Sequence, residues 1–243
     1  MGKCYETYER SQFLLMRSNE QIQKIKQFQG IPFSVKGIVD PASLLEYYFS
    51  NNNDVIEKNT GPKVLEIDSN HHLLSPILAE MQKYTEPFKV RYAHFFDVTD
   101  PHIIHNDDTF EYPNCYKAFT IPLKIYGESN DIKLVIFDQY YYGGPSKFFN
   151  GETIIENVYY NKPLTEYSSV ENRNTVGIKE EFRKEYLGHL KDSWIEGLSV
   201  NAVLEWNVGD ALCFDSLALH CSSNFKSKSI ERKIGLSIFT VKE

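Results

Sequence analysis

Long apolar runs are missing from this sequence: nothing approaches the roughly 20 consecutive apolar residues that a membrane-spanning helix requires, so no membrane partner is expected. The stretch from Met1 to Asn19 also lacks the continuous apolar centre of a secretory leader. Cysteine is scarce. The four present, Cys4, Cys115, Cys213 and Cys221, show no CxxC spacing, and the last three fall in segments that read as core, as reduced thiols of a cytoplasmic protein do. An excess of positive charge is missing too. The net charge is −7, which argues against a phosphate-tracking surface and hence against a nucleic-acid partner. There is no internal repeat and no low-complexity tract. These absences leave a cytoplasmic protein acting on something other than a polyanion or a lipid surface.

What is present is apolar and aromatic material in quantity. With 42% hydrophobic and 14% aromatic content over 243 residues, the chain is long enough for one well-buried domain. Residues 1–86 read as a helical lead-in: a helix capped by Ser18-Asn19 and ending at Gly30, a second from Ala42 to Ser50 after Asp40-Pro41, a third from Leu73 to Tyr84. From Phe88 the period changes to that of strands, first Phe88 to Val98, then Tyr116 to Ile125 and Ile132 to Asp138, the last two joined by turn chemistry as a hairpin. Strands without interleaved helices favour a sandwich or barrel. Residues 87–243 therefore form the β core of a single domain spanning 1–243, with a long insertion at about 145–200 that contains an amphipathic helix from Ile178 to Leu190.

The chemistry-bearing residues lie at the two ends of that core. His105-Asn106-Asp107 places a histidine and a carboxylate two residues apart, on one face if the backbone is extended. The neighbouring Asp108 has the wrong parity. A third ligand would come from His220, which ends a Gly209-Asp210 turn and an apolar run. Two histidines and one carboxylate on a single face of an iron form a facial triad. Arg232 opens the last strand with the parity of Ile234, Leu236 and Ile238, and a buried arginine requires an anion such as the distal carboxylate of a keto acid. Lys233, with the parity of Gly235 and Ser237, is the rival anchor. Tyr140, Tyr141 and Tyr142, followed by Gly143-Gly144-Pro145, form either an aromatic wall at a cavity mouth that touches substrate or the seal of a sheet edge.

The order His-x-Asp, Gly-Asp turn, distal His and then Arg resembles the Fe(II)/2-oxoglutarate-dependent oxygenases over roughly residues 87–240. His220-Cys221-Ser222-Ser223-Asn224 followed by Arg232-Lys233 is most similar to the phytanoyl-CoA dioxygenase-like branch. The resemblance implies a double-stranded β-helix, the jelly-roll or cupin-like core, mainly β with flanking helices. It implies Fe(II) on His105, Asp107 and His220, with 2-oxoglutarate held distally by Arg232. It further implies consumption of O2, release of succinate and CO2, and hydroxylation or a related C–H oxidation of a small organic substrate. In related halogenases the position of Asp107 lacks a carboxylate, so its presence here favours hydroxylation. A cupin-like metalloenzyme that uses no keto acid, and a jelly-roll binding module without catalysis, are the alternatives.

Overall fold

A computed structural model of the chain describes residues 18–51, 56–57, 62–107, 114–140, 178–195 and 198–243. Among them the strands are β1 Phe33–Val35, β2 Ile56–Glu57, β3 Lys63–Glu66, β4 Phe88–Val98, β5 Cys115–Gly127, β6 Lys133–Tyr140, β7 Val200–Glu205, β8 Ala211–Asp215, β9 Ala218–Ser222 and β10 Ile230–Lys242. The helices are α1 Asn19–Lys26, α2 Ala42–Ser50, α3 Ser75–Met81, α4 Glu180–Tyr186 and α5 Asp192–Ile195. No described helix is long and apolar enough to cross a membrane.

Two antiparallel sheets face each other. The larger has the order β1-β8-β5-β10-β4-β3-β2, the smaller β7-β6-β9, and an isolated bridge between His105 and His220 adds the 105–107 segment beyond β9. From β4 onward the chain passes back and forth between the sheets, so that β8-β5-β10-β4 lies over β7-β6-β9 and the His105 segment. That is a double-stranded β-helix, the jelly-roll closure of a mainly β protein.

Three apolar layers follow from strands buried on both faces. Leu44, Tyr48, Ile77 and Met81 of α2 and α3 cover the outer face of the large sheet at Phe95, Ile234, Leu236 and Ile238. Leu134, Ile136, Trp206, Phe214 and Phe225 fill the space between the sheets. Leu187 after α4 and Ile195 of α5 seal Val135, Phe137 and Leu219 on the outside of the small sheet. A buried Leu, Ile or Phe side chain contributes about 1.5–3 kcal/mol relative to an exposed one, so neither outer face of the sandwich can be left uncovered.

Local chemistry explains the boundaries. Ser18 Oγ accepts from the Gln21 amide and Gln21 Oε1 from the Ser18 amide, a reciprocal cap that starts α1 where the sequence places it. The helix stops at Lys26, earlier than Gly30. Asp40 Oδ1 accepts from the Ala42 amide at the start of α2. Gly209, at φ 85°, makes the turn into β8, where a side chain would strike the Val39 carbonyl oxygen at 2.9 Å.

Two expectations are corrected. The lead-in is not merely helical, because β1, β2 and β3 extend the large sheet at both edges. Nor do β5 and β6 form a hairpin: β5 pairs with β8 and β10, whereas β6 pairs with β7 and β9. Residues 128–132 carry the chain across the sandwich. Each of these strands is buried on both faces and needs a neighbour on each side, which distant strands supply. The greater part of the expected insertion, with Tyr141 and Tyr142, lies outside the described residues, as does Asp108.

Candidate metal centre

His105 and Asp107 reach the same side because residues 105–107 run beside β9 as a short extended segment. The His105 amide donates to the His220 carbonyl (3.0 Å), the His220 amide returns the bond (2.9 Å), and the Asp107 amide donates to the Ser216 carbonyl (2.8 Å). This ladder sets the two imidazoles 4.2 Å apart, centroid to centroid. Asp107 Oδ1 lies 3.7 Å from His105 Nε2, and Oδ2 lies 3.4 Å from His220 Nε2. One ligand atom from each of the three falls within 4.8 Å of the others.

Both rings are oriented from behind. His105 Nδ1 sits 2.8 Å from the Ile103 carbonyl oxygen and His220 Nδ1 sits 3.0 Å from that of Ala218. A carbonyl can only accept, so each Nδ1 carries the proton and each Nε2 presents its lone pair to the shared point. Burial depresses the pKa of both histidines to about 4, with the neighbouring His220 adding to the effect on His105. Burial raises Asp107 to about 6, partly offset by His105 and Arg91. Arg91 Nη2 also donates to the Asp107 carbonyl at 3.3 Å, tying this segment to β4. Two neutral imidazole nitrogens and a carboxylate, drawn together out of water, are a donor set that fits Fe(II), and a divalent cation would favour the ionised carboxylate that burial disfavours.

On β10 the two candidate anchors point to opposite faces. Arg232 does share its face with Ile234, Leu236 and Ile238, but that face packs beneath α2. Its guanidinium forms a two-point pair with Asp97 (Nε 2.7 Å, Nη2 2.5 Å), and Asp97 also accepts from the Tyr48 hydroxyl at 2.9 Å. The expectation that Arg232 faces the pocket is thereby corrected: burial parity identified a core face, and the chain has two. Lys233 points between the sheets. Its Nζ donates to Ser222 Oγ (2.9 Å) and lies over the rings of Trp206 (4.7 Å) and Phe225 (5.2 Å). Among the described residues no carboxylate is within ion-pair distance of it. Burial pushes its pKa down to about 7.

Ser222 is two residues beyond His220 and so on the same face of β9. The spacing is about 7 Å along the strand. Sequence reasoning missed Ser222, although its parity with His220 was the signal.

For Tyr140 the sequence left open a substrate wall or the seal of a sheet edge. It is buried, and its hydroxyl donates to Asp215 Oδ2 at 2.6 Å, while the Gly30 amide donates to the same oxygen and Lys117 pairs with Oδ1. Three donors leave that carboxylate well satisfied, and Tyr140 belongs to a polar knot joining the segment after α1 to the β8–β9 turn.

No family model matches the chain, and no curated protein matches it. Among solved structures it is similar to the epimerase SnoN in complex with Fe3+, alpha ketoglutarate and nogalamycin RO (9% identity, 93% of this chain and 85% of that one, TM-score 0.47). It is also similar to a prolyl-4-hydroxylase of Pseudomonas putida (11%, 92% and 98%, 0.46). A third is HygX of Streptomyces hygroscopicus with nickel and 2-oxoglutarate bound (10%, 92% and 87%, 0.46). At such identities only the side chains of this chain can say what its site does.

Proposed function

We propose that the protein is a non-haem Fe(II)- and 2-oxoglutarate-dependent oxygenase that hydroxylates, or otherwise oxidises, a C–H bond of a small organic molecule. One observation carries this reading: in the space between the two sheets a His-Asp-His donor set shares the interior with a buried lysine, which is hydrogen-bonded to Ser222, a residue roughly 7 Å along β9 from His220, and has no carboxylate partner among the described residues.

His105, Asp107 and His220 would hold the metal, the imidazoles through Nε2 and the aspartate through its carboxylate. Lys233 would bind the distal carboxylate of 2-oxoglutarate. A buried ammonium without an anion is costly, and an arriving carboxylate both pairs it and favours its charged form. Ser222 steers the ammonium, and the Trp206 and Phe225 rings keep that end of the cavity free of water. Arg91, gripping the backbone of Asp107, holds the carboxylate in register with the histidines. Fe(II) bound there supplies, with 2-oxoglutarate and O2, the oxidising power for the C–H bond, with succinate and CO2 released.

Succinate or CO2 release, screened against a metabolite library with Fe(II) and ascorbate, tests this reading. Substrate-stimulated release that vanishes in Asp107→Ala is the expected result. Iron-dependent turnover that ignores 2-oxoglutarate would replace it with a cupin-like metalloenzyme.

A further inference from the structure

Gly235 lies on the inner face of β10, paired across the ladder with Phe96 of β4, two residues from the Lys233–Val98 pair. Its backbone is not in the left-handed region, so conformation does not demand a glycine there. Space does. A Cβ at Gly235 would fall 2.4 Å from Phe96 Cζ and 2.8 Å from Cε1, so any side chain would force the ring off the strand. Phe96 is only partly buried, packs with the layer between the sheets and meets the Trp206 indole at 6.4 Å, and that same indole lies under Lys233. The metal end of β10 is identified by Arg91, whose guanidinium lies over Phe239 and whose Nη2 reaches Asp107. Gly235 and Phe96 therefore lie on the stretch of β10 and β4 between Lys233 and the metal end.

We propose that the Phe96–Gly235 pair is the selectivity wall of the co-substrate channel: the glycine lets the ring lie flat on β10, and the ring face lines the methylenes of an unbranched five-carbon 2-oxo diacid while excluding diacids substituted at those carbons. This rests on the reading of Lys233 as the carboxylate anchor. A ring swung inward by a new Cβ would fill the channel without touching His105, Asp107 or His220.

The test uses the full chain loaded with Mn(II) in the absence of O2, with Trp206 fluorescence reporting the binding of 2-oxoglutarate and of its 3-methyl derivative. Wild type should prefer the unbranched acid, and Phe96→Ala should shrink that preference by about tenfold, the scale set by one methyl group in a fitted pocket. Gly235→Ala should weaken 2-oxoglutarate binding by about tenfold or more with Mn(II) affinity unchanged, and Gly235→Ala combined with Phe96→Ala should recover it to within about threefold, because the two positions act through one contact. Unchanged preference in Phe96→Ala overturns the proposal, as does a double variant no better than Gly235→Ala alone. Should Gly235→Ala not fold, the preference measured in Phe96→Ala decides alone. A wild type that binds Mn(II) but neither acid removes the anchor reading along with the wall, whereas binding without discrimination removes the wall only.

Discussion

Arg232 and Lys233 are neighbours in sequence and opposites in environment. The arginine belongs to the layer under α2, where Asp97 supplies its anion and Tyr48 completes the carboxylate. The lysine belongs to the space between the sheets, where a serine hydroxyl and two aromatic rings surround it. One cation is satisfied by a carboxylate of the fold, and the other is the proposed anchor for a ligand. A sandwich with both outer faces covered has two kinds of buried side, and only the inner one is available for chemistry.

Substitutions on the two sides should separate accordingly. The largest effect is expected at the donor set: Asp107→Ala should lower Mn(II) affinity by more than about 100-fold, since even partners behind a ligand cost 10–100-fold, with titration calorimetry as the readout. Next comes Lys233→Ala, expected to raise the 2-oxoglutarate requirement by about 100-fold, the equivalent of about 3 kcal/mol for a broken buried charge pair, while metal affinity holds. An unchanged requirement would take Lys233 out of the site.

Protonation gives the third test. In the metal-free protein Asp107 titrates at about 6 and the histidines at about 4, so one proton, on Asp107, must leave for a metal to bind between those values. Affinity should fall about tenfold per pH unit below 6 and be flat above it. A slope persisting from pH 6 to 7.5 would mean that the histidines are charged. The same shifts bear on stability with opposite signs. Between pH 4 and 6 the unfolded chain binds protons on both histidines that the folded one does not, and the folded chain keeps one on Asp107, so metal-free stability should rise with pH across that interval.

The smallest ligand effect is expected from Arg232→Ala. It should leave the 2-oxoglutarate requirement within about twofold but strip Asp97 of its partner. With the guanidinium partly exposed and Tyr48 remaining, about 2 kcal/mol is lost, or about 4–8 °C in melting temperature for a chain of this size. If instead the keto-acid requirement rises and stability does not change, the assignment of the two faces is wrong.

Much of this was legible in the residues. The strand signal from Phe88 to Val98 marks β4 to the residue, and Ser18-Asn19 marks the start of α1, because both signals are local. The period-2 argument brings His105 and Asp107 to one side, and the structure places His220 beside them. What failed was whatever depended on distant partners. The turn at 126–131 reads as a hairpin locally, yet Greek-key pairing sends β5 and β6 to different sheets. Parity put Arg232 with Ile234, but parity cannot say which of two buried faces is the pocket. Short strands such as Phe33–Val35 owe their state to pairing with β8 more than to propensity. Tyr140 read as either an aromatic wall or the seal of a sheet edge, and its bond to Asp215, 75 residues away, was visible only in the fold.

Anaerobic titration of the full chain with Fe(II) and 2-oxoglutarate, followed by the visible absorption of an Fe(II)–2-oxo acid chelate, addresses the inner face of the barrel most directly. A band that saturates at one iron and one 2-oxoglutarate per chain is the predicted result. A chain that binds iron at His105, Asp107 and His220 yet gives no band at any 2-oxoglutarate concentration would contradict it.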